Sequence, residues 1–194
     1  MSRQVWIRVC AAAVASVVVA AAVAFADGGG ERFRVRDECD PTTFNSGPPT
    51  GPGAGIICNP VFDGDQTFAE FIDEVTADKQ AEHWSLQPER TTVDRGERTS
   101  IESRGGEFHT FTKVAEFGGG ILAGLNFLSG AGPTRPECGA ENALAPPNQV
   151  DHIGVPDGKT VPGPSTALGS FKKGETTKWQ CCIHPWMRST ITVR

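Results

Sequence analysis

The sequence predicts an all-β fold, an antiparallel sandwich or barrel, on three observations. From Trp84 onward, short runs rich in Thr, Val, Ile and Phe alternate with turns that carry Gly or Pro. A chain of 194 residues is long enough to bury one full core without help from metal or disulfide. Its composition, 38% hydrophobic and 21% charged, excludes a collagen-like, a wholly disordered or a polytopic membrane chain. The formal charge of −5, with no Lys/Arg cluster, argues against nucleic acid as a partner.

Residues 1–26 read as a secretory signal peptide. Arg3 and Arg8 precede the apolar run Val9–Phe25, and the small-x-small pattern Ala24-Phe25-Ala26 lies just ahead of Gly28-Gly29-Gly30. The competing reading is a retained anchor, since Val9–Ala26 reaches the lower limit for spanning a bilayer. Cleavage leaves 168 residues with 16 basic and 23 acidic side chains, a charge of −7. An exported protein, whether periplasmic, cell-surface or secreted, meets an oxidising compartment, where disulfides are the default. The five remaining cysteines, Cys39, Cys58, Cys138, Cys181 and Cys182, are odd in number. One thiol is therefore left for another task.

Residues 27–83 read as an N-terminal extension and 84–194 as the domain proper. Gly, Pro and Asp dominate residues 27–65, an irregular segment that a Cys39–Cys58 bridge would staple. Thr67 and Glu70 form a capping box, and Phe68, Phe71, Ile72 and Val75 follow at helical spacing, which predicts one amphipathic helix over 66–80. Its apolar stripe is a packing face, and Asp73, Glu74 and Asp78 form the solvated one. The expected strands are Trp84–Leu86, Thr91–Val93, Glu97–Ser103, His109–Val114, Ser165–Phe171, Thr176–Cys182 and Ser189–Val193. The stretch 115–164, interrupted by Gly118-Gly119-Gly120 and several prolines, reads as long loops with a weak strand near Gln149–Val155.

Chemistry concentrates near the carboxy terminus. Cys181, His184 and Met187, spaced Cys-x2-His-x2-Met, offer a thiolate, an imidazole and a thioether, the donors that copper takes in a trigonal site with a weak axial Met. A second imidazole has to come from elsewhere, and His109, opening an apolar strand, is the natural source. Strand alternation selects between the adjacent cysteines: Cys181 shares the parity of Trp179 and points inward, whereas Cys182 points away. Cys182 is then free to pair, with Cys138 the unassigned thiol, although connectivity does not follow from sequence. His83 and His152 lack such context and read as exposed loop histidines. No Ser-His-Asp spacing, phosphate loop or paired-carboxylate motif stands out.

His109-Thr110-Phe111-Thr112 after a Gly-Gly turn, with Cys181-x2-His184-x2-Met187 before a final strand, resembles the cupredoxin (plastocyanin-like, type 1 blue copper) family over about residues 84–194. The short ligand loop is most similar to that of the amicyanins. The resemblance implies a Greek-key β-sandwich that holds one copper per chain through His109, Cys181, His184 and Met187. It implies a monomeric electron carrier rather than an enzyme, exchanging electrons with redox partner proteins through an exposed edge of His184, with no membrane span after signal cleavage. Pro185 and Trp186 would cover that edge, and backbone near Thr110 would donate to the sulfur. Two features depart from the family pattern: the long segment between Val114 and Ser165, and the second cysteine beside the ligand. Copper capture or delivery by the same ligands is the alternative function, against which the absence of a Met- or His-rich tract weighs.

Overall fold

The computed structural model describes residues 30–47, 55–139, 151–164 and 172–194. The expected signal peptide and the expected strand Ser165–Phe171 lie outside them. Nine strands form two sheets among the described residues: β1 (Arg32–Arg36), β2 (Ser85–Gln87), β3 (Arg90–Val93), β4 (Ser100–Arg104), β5 (His109–Val114), β6 (His152–Val155), β7 (Thr160–Pro162), β8 (Thr176–Gln180) and β9 (Arg188–Val193). One sheet runs β2-β1-β4-β7 and the other β3-β9-β8-β5-β6. Alternation puts Phe33 and Val35 of β1 and Ile101 of β4 in one buried cluster with Phe111 of β5, Trp179 of β8 and Ile191 of β9. The Phe33 and Phe111 rings meet across the sheets with centroids 5.0 Å apart. This is the two-sheet β-sandwich expected.

Its sheets are mixed rather than purely antiparallel. β1 runs parallel to β4, from Arg32 opposite Ser100 to Arg36 opposite Arg104, and β3 runs parallel to β9. β1 also corrects the division at residue 84, because a strand from the supposed extension lies in the interior of the first sheet. Its Arg-Phe-Arg-Val-Arg alternation buries two apolar side chains and exposes three charged ones, which suits a sheet with one solvated face. β4 starts at Ser100, later than expected, because Asp94–Glu97 closes a turn in which Glu97 N–H donates to Asp94 O at 3.0 Å.

Three α-helices accompany the sandwich among the described residues, α1 (Pro41–Phe44), α2 (Phe68–Asp78) and α3 (Ala123–Ser129), with a short 3-10 helix at Pro136–Cys138. α2 begins with the expected capping box, in which Glu70 N–H donates to Thr67 Oγ1 and Thr67 N–H to Glu70 Oε2. It buries Phe71 and Val75. β6 falls on the weak strand expected near Gln149–Val155, whereas α3 and β7 correct the reading of the rest of 115–164 as loops. No helix among the described residues is long and apolar enough to cross a membrane.

Among the described residues the disulfides are Cys39–Cys58 and Cys138–Cys182, the two pairings that the sequence left open, and Cys181 is free and buried. The first bridge packs on Gly106, where an added Cβ would lie 2.8 Å from both sulfurs and 2.7 Å from Phe62 Cδ1. Gly106→Ala is therefore expected to cost about 1–3 kcal/mol through overpacking. A denaturant midpoint unchanged from the parent would contradict this close packing.

Candidate metal centre

β5 and the loop between β8 and β9 build the site. His109 opens β5 with its side chain on the inner face, two residues from Phe111. Cys181 follows β8 on the parity of Trp179, and the loop closes on itself as Cys181 N–H donates to Met187 O and Met187 N–H to His184 O, both at 3.0 Å. Cys182, on the opposite parity, has its N–H bonded to Thr110 Oγ1 at 2.8 Å and its sulfur tied to Cys138. One bridge thus fixes the outer face of the segment whose inner face carries the free thiol.

Three of the four expected ligands converge. Cys181 Sγ lies 3.8 Å from His109 Nδ1 and 3.9 Å from His184 Nδ1, and all three residues are fully buried. Their donor atoms form one group compact enough to hold an ion. Thr110 N–H points at the sulfur from 3.5 Å, the backbone donor anticipated there. Met187 is buried at the loop's far end, joined through its backbone to both His184 and Cys181.

Each imidazole turns its other nitrogen to a carboxylate. His109 Nε2 is 2.8 Å from Asp37 Oδ2, and His184 Nε2 is 3.1 Å from Glu107 Oε2. Asp37 also accepts from the N–H groups of Gly106 at 2.8 Å and Glu107 at 3.2 Å, and Trp84 Nε1–H donates to Glu107 Oε2 at 3.0 Å. Gly105 allows this approach, since a Cβ there would lie 1.8 Å from Asp37 Oδ2. Sequence reasoning left out both carboxylates. The signal was parity: Asp37 continues the buried Phe33, Val35 series, and Glu107 stands two residues before His109 on the same face.

An exposed His184 edge is not what the structure has. The ring is fully buried, with Trp186 at 5.5 Å and Phe71 of α2 at 6.1 Å between centroids, because the amino-terminal residues pack over it. Trp186 itself is half-buried and lines a groove of about 610 Å³ with Trp84, Met187 and Arg188. His152 is also corrected. It sits buried on β6 with Nδ1 2.8 Å from Thr112 Oγ1, outside the donor group, while His83 is exposed as expected.

Electrostatics prepare the donors. Burial pushes the Cys181 thiol up, but bonding and attraction to His109 and His184 outweigh it and hold the group well below 9.0. Burial works against protonation of His109, yet Asp37 and the Cys181 sulfur raise it from 6.5 to about 10. His184 is likewise raised, burial being outweighed by Glu107 and Cys181. Burial raises Asp37, but His109 and the two backbone amides bring it below its ordinary value. These charges suit a metal site: His109 and His184 would give up their Nδ1 protons to an ion, and Cys181 would offer it a thiolate already formed. Thiolate plus two imidazoles, each backed by a carboxylate, is a donor set that suits copper.

Neither a protein-family model nor a curated protein sequence matches the chain. Several solved structures do resemble it. The neighbours are cupredoxins. They include a purple cupredoxin from Nitrosopumilus maritimus (10% identity over 61% of this chain and 93% of that one, TM-score 0.34). Another is auracyanin A, a "blue" copper protein from Chloroflexus aurantiacus (20% identity, 57% and 89%, TM-score 0.30). A third is a reduced amicyanin variant (17% identity, 55% and 70%, TM-score 0.23).

The depressed Cys181 value contributes stability that is present above the unfolded thiol value of 9.0 and is lost as pH falls through the folded value. The raised His109 value contributes stability complete below 6.5 and lost as pH rises through about 10. Metal-free protein at neutral pH is expected to show ultraviolet thiolate absorbance that disappears on unfolding. In the folded state it should titrate well below 9.0, and His109→Gln should shift the titration upward. A thiol that ionises at or above the ordinary value in the folded protein would contradict the charged triad.

Proposed function

We propose that the chain is an exported type 1 copper protein that carries single electrons between redox partners, with one copper held by Cys181, His109 and His184 and by Met187 as a weak axial ligand. The observation that carries this reading is the free, buried Cys181 sulfur facing the Nδ1 atoms of two imidazoles at 3.8 and 3.9 Å. Bound there, copper supplies a one-electron Cu(II)/Cu(I) couple.

The protein's own groups perform the rest. Cys181 supplies the anionic donor, and Thr110 N–H holds it in place from 3.5 Å. Asp37 and Glu107 fix the rings so that Nδ1 faces the sulfur. Strand pairing and the Cys138–Cys182 bridge hold both ends of the loop, which keeps the donors in one arrangement through gain and loss of charge. Full burial of the three donors excludes water and leaves a substrate no direct approach, which favours a carrier over an enzyme. With His184 covered, the half-buried Trp186 ring is the part of the site nearest the surface, and electrons enter and leave beside it. Export, to the periplasm, the cell surface or the medium, follows from the amino-terminal sequence and agrees with two disulfides.

Cu(II) added to the purified metal-free protein is expected to give intense visible thiolate-to-copper absorption and an EPR signal of one Cu(II) per chain. Cys181→Ser should abolish the absorption, whereas the Cys138→Ala, Cys182→Ala pair should keep it while losing about 2–5 kcal/mol of stability. Rapid reversible cycling with the metal retained supports a carrier; ready transfer of copper to an acceptor protein would support delivery. A colourless product, or absorption that survives Cys181→Ser, would contradict the assignment.

A further inference from the structure

We infer that Asp37 and Glu107 set the redox balance of this centre, placing two negative charges behind its imidazoles and so favouring Cu(II) over Cu(I). The inference rests on the copper reading above and deepens it.

Both side chains are almost wholly inaccessible, at 0% and 1% exposure. Each has an imidazole as its ion-pair partner, and among the described residues no Lys or Arg pairs with either. When Nδ1 binds metal, Nε2 keeps the ring proton; His109 directs it at Asp37 Oδ2 in a hydrogen bond, which makes that imidazole a stronger donor, whereas His184 Nε2 faces Glu107 Oε2 at 3.1 Å without hydrogen-bond geometry and feels it as a nearby charge. Charges in the interior are poorly screened, so each carboxylate acts on the whole centre as well as on its own ring. With thiolate and two neutral imidazoles, Cu(I) leaves the ligand set neutral and Cu(II) leaves it at +1. Two carboxylates then bring the totals to −2 and −1. The oxidised form carries the smaller buried charge, so the reaction Cu(II) + e⁻ → Cu(I) is opposed.

The two carboxylates are balanced differently. Asp37 receives the backbone N–H groups of Gly106, Glu107 and, at 3.5 Å, Cys39 besides His109, whereas Glu107 receives the indole N–H of Trp84 on Oε2 and has Oε1 buried without a partner. Glu107 is thus the less compensated charge. It also stands at the covered His184, where Phe71 and Trp186 exclude water. These are positioning residues: with copper on the Nδ1 side of the rings, both carboxylates lie on the Nε2 side and act through a ligand ring.

The test is spectropotentiometric titration of copper-loaded protein with small soluble mediators, comparing wild type, Asp37→Asn, Glu107→Gln and Trp84→Phe. Glu107→Gln keeps an oxygen for the imidazole and removes the charge. At fixed potential it should raise the Cu(I)/Cu(II) ratio at least tenfold, a shift of about 59 mV for one electron. Asp37→Asn should shift it the same way. Trp84→Phe strips a donor from Glu107 and should move the ratio in the opposite direction, a reversal that general loosening of the site would not produce. Should Asp37→Asn fail to fold for want of its amide contacts, the opposed Glu107 and Trp84 shifts decide. Glu107→Gln within threefold of wild type, with the visible spectrum retained, overturns the inference while leaving the copper reading intact. Shifts of the same sign in Glu107→Gln and Trp84→Phe also overturn it. No coloured centre in the wild type overturns the copper reading, and this inference with it.

Discussion

The buried pair of Asp37 and His109, 2.8 Å apart and closed to solvent, is the contact on which the rest of the site depends. Taking a carboxylate out of water costs several kcal/mol, and the cost is offset only where geometry and hydrogen bonds compensate it fully. Asp37 meets that condition by accepting from His109, from the successive backbone amides of Gly106 and Glu107 and, at 3.5 Å, from the Cys39 amide. The bond fixes which nitrogen of His109 faces Cys181, and the thiolate is stabilised in turn by the ring that Asp37 orients. Each charge in the chain of contacts makes the next one tolerable.

That arrangement explains why the amino-terminal residues belong to the sandwich. β1 delivers Asp37 to the end of the first sheet, beside the β5 residue it must reach, and the Cys39–Cys58 bridge lies immediately beyond. α2 then lays Phe71 against His184, Trp84 and Trp186. The result is a donor set with no exposed imidazole. The cover lengthens the route from the surface to the Cys181 sulfur and closes the His184 ring to solvent.

Much of this was legible in the sequence because local rules govern it. The capping box of α2, the alternating strands around Trp179 and the Cys-x2-His-x2-Met loop each depend on near neighbours in the chain. Parity set Cys181 inward and left Cys182 free to pair, as it does with Cys138. What escaped depends on contacts between distant segments: the parallel pairing of β1 with β4, the cover over His184 and the burial of His152 on β6. The carboxylates lay between these cases. Asp37 and Glu107 both occupy inward positions that parity alone would mark. Only the fold shows that each has an imidazole to face, and an inward acidic residue is otherwise easily taken for a strand end or a turn.

X-ray absorption at the copper edge of the loaded protein tests the central claim most directly, since it counts the atoms around the metal. Our account predicts one sulfur at short range together with two imidazole nitrogens, and loss of the sulfur contribution when residue 181 is serine. A shell of oxygen and nitrogen alone, or one containing two short sulfurs, would contradict it.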